Sequence, residues 1–243
     1  DGDPEAVLLD AEGRVHVFLN RRFRSPRFEP WALPDTIGRA QAMSVADLDR
    51  DATLDLVLLQ EDGAIRRLSI EDGTWTDAVL AEWPEAGGTP VGTARLYLAD
   101  LDNNGDLDLV ASVPGLTQIW FTTPDGLVQH QSLEAWTTDV ADVSGEGRLD
   151  LIGMADGTPR LFVNAGGRDY YSTSIRPRAA RAVGDRRINS FGIGGEIEIR
   201  TLEGEVVEIV GVRPFSVLPG RVRRERIELA VELSAGTYVL VPI

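Results

Sequence analysis

The sequence contains no cysteine and no lysine; all 24 basic residues among its 243 are arginine. Without thiols, disulfides and thiolate metal sites are excluded. No stretch approaches the ~18 consecutive apolar residues of a spanning helix, and no signal-peptide pattern is visible. A sustained 3.6-residue apolar period with caps is also missing, so helix content should be low. Histidine is scarce, with only His16 and His130. His16 stands between Val15 and Val17 in an alternating run and reads as a solvent-facing strand residue. No Ser/His/Asp spacing is recognisable. Basic charge is in deficit overall, with a net charge of −15. That balance argues against general nucleic-acid binding, which needs a basic footprint.

The charge is unevenly placed. Residues 1–175 hold 30 acidic and 13 basic groups, a net of −17, whereas residues 176–226 hold 11 arginines against 7 acids, a net of +4. A domain boundary is therefore expected near Arg176-Pro177-Arg178.

What the chain does have is a repeated acidic loop running into an apolar strand. The first copy is Asp47-Leu48-Asp49-Arg50-Asp51-Ala52-Thr53-Leu54-Asp55, followed by Leu56-Val57-Leu58-Leu59. The second is Asp100-Leu101-Asp102-Asn103-Asn104-Gly105-Asp106-Leu107-Asp108, followed by Leu109-Val110-Ala111. Two carboxylates about 4 Å apart repel by roughly 4 kcal/mol at an effective dielectric near 20. Such clusters need open water or a cation, and a hard oxygen-seeking ion such as Ca²⁺ suits them. A weaker copy runs from Asp142 to Asp150, and a half-copy opens the chain at Asp1-Gly2-Asp3-Pro4-Glu5. The aligned acids Glu5, Asp55, Asp108 and Asp150 are 50, 53 and 42 residues apart, a spacing typical of propeller blades and comparable arrays.

After each loop comes an apolar strand, a turn and a second strand. The turns are Ala11-Glu12-Gly13, Glu61-Asp62-Gly63, Pro114-Gly115 and Ala155-Asp156-Gly157, which is hairpin chemistry. Ser69-Ile70-Glu71-Asp72-Gly73-Thr74-Trp75 reads as one more hairpin. Gly192-Ile193-Gly194-Gly195 precedes a strand rather than a helix, so a tight turn is expected there and not a phosphate cradle. The fold class is all-β.

The acidic units resemble FG-GAP/VCBS repeats, the calcium-loop blades of integrin-type propellers. Downstream, Arg187-Ile188-Asn189-Ser190-Phe191-Gly192-Ile193-Gly194-Gly195 and the alternating run to Arg200 resemble the opening of the ASPIC/UnbV domain. That domain's later His-Phe-Gly-Leu-Gly and Trp-Pro-x-Gly segments do not survive intact in residues 213–220 and 232–236. The resemblance implies a partial β-propeller of about three and a half blades over residues 1–175. A small C-terminal β domain should follow over 176–243, with strands at 195–201, 205–212, 226–233 and 237–241. Because the first residues match the middle of an acidic loop, missing blades are expected either upstream or from another subunit.

The repeat pattern implies calcium ligation by Asp47, Asp49, Asp51, the Thr53 carbonyl and Asp55. In loop two it implies Asp100, Asp102, Asn104, the Asp106 carbonyl and Asp108. Asp142, Ser144, Glu146 and Asp150 form a weaker candidate that hydrogen bonds could hold instead. The apolar residues Leu48, Leu54, Leu101 and Leu107 should turn to the core. Calcium is expected to be structural, and no catalytic residue is implied. The arginines Arg221, Arg223, Arg224 and Arg226 are either a solvated edge or a docking surface for an acidic partner or anionic lipid headgroups. The 83–88 loop and the five tryptophans Trp31, Trp75, Trp83, Trp120 and Trp136 are candidate partner anchors or core residues. The leading expectation is a non-catalytic, calcium-stabilised binding or scaffold module, periplasmic or extracellular in a bacterium, with a protein partner. Peripheral membrane association stays open. The competing class is a carbohydrate-binding or polysaccharide-acting propeller, for which paired carboxylates ~5–9 Å apart would be needed for hydrolysis.

Overall fold

The computed structural model describes residues 5–21, 27–49, 51, 53–166, 171–175, 196–201, 206–211, 227–231 and 238–242. By internal contacts the chain divides into two compact units, Asp1–Asp102 with Asp106–Gly166, and Asn103–Gly105 with Gly167–Ile243.

The first unit contains four antiparallel sheets in chain order, in which consecutive strands are always neighbours. Blade one comprises β1 (Ala6–Leu9), β2 (Val15–Asn20) and β3 (Phe28–Trp31). Blade two comprises β4 (Ala40–Ala46), β5 (Asp55–Gln60), β6 (Ala64–Glu71) and β7 (Thr74–Glu82). Blade three comprises β8 (Arg95–Ala99), β9 (Asp108–Val113), β10 (Leu116–Thr123) and β11 (Gly126–Leu133). Blade four comprises β12 (Trp136–Ala141), β13 (Asp150–Ala155) and β14 (Thr158–Phe162). This is an all-β, partial propeller-like array whose sheets do not close on one another. No α-helix occurs among the described residues; one 3₁₀ turn at Pro84–Ala86 links blades two and three.

The apolar runs of β5 and β9 are apolar throughout because both their faces are covered. Successive side chains of a strand point to opposite faces. In β5, Val57 and Leu59 join a core with Leu109, Ala111, Val113 and Trp120 of blade three. Leu56 and Leu58 join a second core with Val17 of blade one. In β9, Val110 turns the other way and packs with Ile119 and with Leu151 of blade four. Each blade interface is thus a sheet-on-sheet core, and the middle strands serve two cores at once.

The turns after these strands also anchor the chain as it leads into the next blade. Ala40 N–H donates to the Gly13 carbonyl (2.8 Å), and Trp83 N–H donates to the Gly63 carbonyl (2.8 Å). Between blades three and four the tie is a buried hydroxyl chain. Ser112 Oγ and Thr117 Oγ1 lie 2.7 Å apart, and Thr117 Oγ1 and Thr137 Oγ1 2.9 Å apart. Thr137 N–H donates to Ser112 Oγ at 2.7 Å. Trp83 and Trp120 are buried in edge-to-face contact at 6.0 Å, so Trp83 in the 83–88 loop is a core residue and not a surface anchor. Trp31 and Trp75 pack at 4.5 Å and are half-buried, as is Trp136.

The Asp72-Gly73 turn joins β6 to β7 with Glu71 paired to Thr74. Both turn residues have positive φ, 49° and 76°, the left-handed pair that a two-residue hairpin requires. His16 is exposed, as expected for the polar face of β2, and its Nε2 lies 2.9 Å from Asp10 Oδ2.

From residue 167 onward, the described residues of the second unit are all in strands. β16 (Glu196–Thr201) pairs with β17 (Val206–Gly211) and β19 (Tyr238–Pro242), while β15 (Tyr171–Ile175) pairs with β18 (Ile227–Val231). Residues 1–4, Arg50, Ala52, the 187–195 motif and the arginines Arg221, Arg223, Arg224 and Arg226 lie outside the described residues.

Candidate functional site: the acidic loops

The acidic loops connect the first two strands of a blade, β4 to β5, β8 to β9 and β12 to β13. A strand therefore precedes each loop, which the repeat pattern did not reveal. β1 follows Glu5 as β5 follows Leu54 and Asp55 begins it, so β1 to β3 hold the second to fourth strand positions of a blade.

In each described loop the last aspartate is buried and acts as a clamp. Asp55 is 1% exposed, and Asp108 and Asp150 are both 0% exposed. The Oδ2 of each accepts the backbone N–H of the loop's second residue. These bonds are Leu48 to Asp55 at 2.9 Å, Leu101 to Asp108 at 2.8 Å and Val143 to Asp150 at 3.1 Å. The Oδ1 reaches the end of the third strand. Thr122 N–H donates to Asp108 at 2.8 Å and Asn164 N–H to Asp150 at 2.9 Å, while Ser69 Oγ donates to Asp55 at 2.5 Å. The final aspartate thus has a structural task that does not depend on any ion. This explains why Asp150 persists in a loop whose other acids are altered.

Loops one and two also gather further carboxylates. Oxygens of Asp47, Asp49 and Asp55 lie within 4.8 Å of one another, as do those of Asp100, Asp102 and Asp108. These oxygen-only sets could each hold a cation. Asp51 stands outside the first group; its Oδ1 accepts Thr53 N–H at 2.6 Å, while Asp47 Oδ1 accepts Asp51 N–H at 3.1 Å. Asn104 and Asp106 share loop two, and the Asp106 carboxylate lies outside its three-carboxylate group.

Electrostatics distinguish the loops. Burial pushes the Asp108 carboxyl up to about 7. Hydrogen bonds from Thr122 and Leu101 oppose the shift, and the Asp102 and Asp100 charges add to it. Loop two therefore favours positive charge in the form of a proton or a metal ion. Loop one has a neighbour that the sequence pattern did not expose. Arg67 Nε lies 3.0 Å from Asp55 Oδ1, and its guanidinium also bonds Asp49. In loop three, Asp142 accepts the N–H groups of Gly145, Glu146 and Gly147, and Glu146 pairs with Arg148. Burial works against the Asp150 charge. Hydrogen bonds from Asn164, Ser144 and Val143, with Arg148 nearby, outweigh it and hold Asp150 below the usual carboxylate range. Asp142, Glu146 and Asp150 do not form a close carboxylate group.

Leu101 is buried, Leu48 packs against the core and Leu107 is half-buried. Leu54 departs from the expected inward orientation and is 40% exposed.

At the opposite ends of the strands an open cleft of about 640 Å³ lies between blades three and four. Its lining includes Leu116, Glu134, Trp136, Met154 and Asp156. No signal in the sequence marked it.

The fold and its two acidic loops define an all-β array of propeller-type blades. Comparison with known families agrees. The FG-GAP-like repeat matches residues 1–58 and 47–111, the second match running from Asp47 past Asp108. Residues 1–111, which include both carboxylate groups, are thus similar to FG-GAP-like repeats. No curated protein matches the sequence. Among solved structures, one similar chain is a lectin of Agrocybe aegerita that recognises non-reducing terminal N-acetylglucosamine. It is 21% identical with a TM-score of 0.48, and the match covers 68% of this chain and 47% of the lectin. This chain therefore spans about half the length of that relative. Among the described residues no helix is long and apolar enough to cross a membrane.

Proposed function

We propose that this chain is a non-catalytic binding or scaffold module, stabilised by calcium at its acidic loops and acting outside the cytoplasm of a bacterial cell. The observation that carries this reading is the oxygen-only carboxylate set of loop two, clamped at the same place in the blade as its counterpart in loop one. Calcium takes 6–8 oxygen ligands, and extracellular modules bind it at about 10⁻⁴–10⁻³ M. Asp100, Asp102 and Asp108 would hold it, and the ion would neutralise the charge that burial makes costly.

The described residues give less support to catalysis. The strongly shifted carboxyl, Asp108, fastens a loop and does not line the cleft between blades three and four. FG-GAP-like repeats and separate, unclosed sheets favour a part played with a partner protein, since unpaired sheet edges invite association. The ASPIC/UnbV-like reading of the C-terminal unit belongs to the same proposal.

Gentle purification of the native protein in calcium tests it. A stoichiometric protein partner that dissociates on chelation is the expected result. A lone monomer that instead binds immobilised glycans would replace the protein-partner reading with carbohydrate binding, and glycan turnover would overturn the non-catalytic one.

A further inference from the structure

The two carboxylate groups look alike in sequence, yet one of them already has a positive charge beside it. When the blades are superposed on Glu5, Asp55, Asp108 and Asp150, strand register assigns one position of the third strand in each. Val7 faces Val17, Val57 faces Arg67, Val110 faces Ile119 and Ile152 faces Leu161. The position is apolar in blades one, three and four and is arginine only in blade two.

We infer that Arg67 is the resident cation of loop one, taking the place of a metal ion there, so that the paired acidic loops bind one divalent cation and bind it at loop two. The inference rests on the calcium reading above and assigns its stoichiometry. The Arg67 side chain is 20% exposed and Asp55 is 1% exposed, so the pair is shielded from water. One guanidinium reaches both Asp49 and Asp55, two of the three acids gathered in that loop. A divalent ion within a few ångströms of that guanidinium would be repelled twice as strongly as a second unit charge. Arginine suits the role because its planar fork can serve two carboxylates and stays charged at any physiological pH.

Equilibrium dialysis of the intact chain against calcium, followed by elemental analysis, tests the inference. The wild type should bind one calcium, lost in Asp102→Asn and retained in Asp49→Asn with affinity changed less than twofold. Arg67→Ile, which installs the residue of blade three, should gain one calcium over the wild type. A wild type that binds two and falls to one in Asp49→Asn would overturn the inference, as would a folded Arg67→Ile that gains none. If Arg67→Ile does not fold, Asp49→Asn decides alone. A wild type with none, and an Arg67→Ile with one, would refute calcium at loop two while upholding the role of Arg67.

Discussion

Replacing Asp108 with alanine is expected to destabilise the first unit by about 3–5 kcal/mol, whether or not calcium is present. The carboxylate accepts the N–H groups of Leu101 and Thr122 and is wholly buried. Alanine leaves both donors without their acceptor, and each unsatisfied buried group costs roughly 1–3 kcal/mol. Against a typical total of about 5–15 kcal/mol, that is a large share. Asp108→Asn should cost less, since the amide oxygen still accepts one of the two bonds. Asp102→Asn is the informative contrast. Asp102 raises the Asp108 carboxyl by its charge, so its neutralisation should leave the chelated protein as stable as before or more so, while weakening calcium binding. Urea melts of the three variants, each with calcium and with chelator, separate the clamp from the ligand. An Asp108→Ala melt that matches wild type in chelator would remove the clamp from this account.

The second large effect is expected at Gly63. Its φ is +90°, and a Cβ there would lie 2.4 Å from the Trp83 carbonyl oxygen and 2.8 Å from its carbon. The obstacle is backbone, and it is anchored by a buried tryptophan in the core between blades two and three. Gly63→Ala thus combines left-handed strain of about 1–2 kcal/mol with overpacking of about 1–3 kcal/mol. A loss of about 3 kcal/mol should lower the melting temperature by roughly 6–12 °C in a chain of this size. Gly73, at φ +76° with nothing within 4 Å of the added carbon, is the control. Gly73→Ala should cost only the strain. Equal shifts for the two variants would mean that the contact with Trp83 carries no energy.

Much of this architecture was legible because its signals are local and repeated. The loop aspartates, the apolar strands behind them and the Gly13, Gly63 and Gly157 turns recur in order, and hairpin chemistry needs only neighbouring residues. β4 was not legible, because Ala40–Ala46 is made largely of small and polar residues without an apolar alternation to announce a strand. Arg67 was hidden for a different reason. It is 18 residues from Asp49, and only the register of β5 on β6 brings it to the loop. The same limitation applies to Ser112, Thr117 and Thr137, whose hydroxyl chain exists only once blades three and four are packed. The dual task of Asp55, Asp108 and Asp150 also required structure. In sequence they are ligands like the others, whereas burial and hydrogen bonds at both carboxylate oxygens mark them as fasteners.

The central claim is that an acidic loop fastens the blade and that calcium completes the fastening at loop two. Thermal melting of the intact chain in millimolar calcium and in excess chelator tests it most directly. Calcium should raise the melting temperature by mass action on the folded state, and more at pH 8 than at pH 6. The sign follows from Asp108. Its folded-state value of about 7 exceeds the unfolded value of about 3.9. In chelator, the stability gained from its proton is therefore full below the unfolded value and is lost as pH rises through 7. At pH 8 calcium replaces that missing positive charge, whereas at pH 6 the proton already supplies it. Identical melts in calcium and chelator at both pH values, with no metal found in the purified protein, would contradict the account.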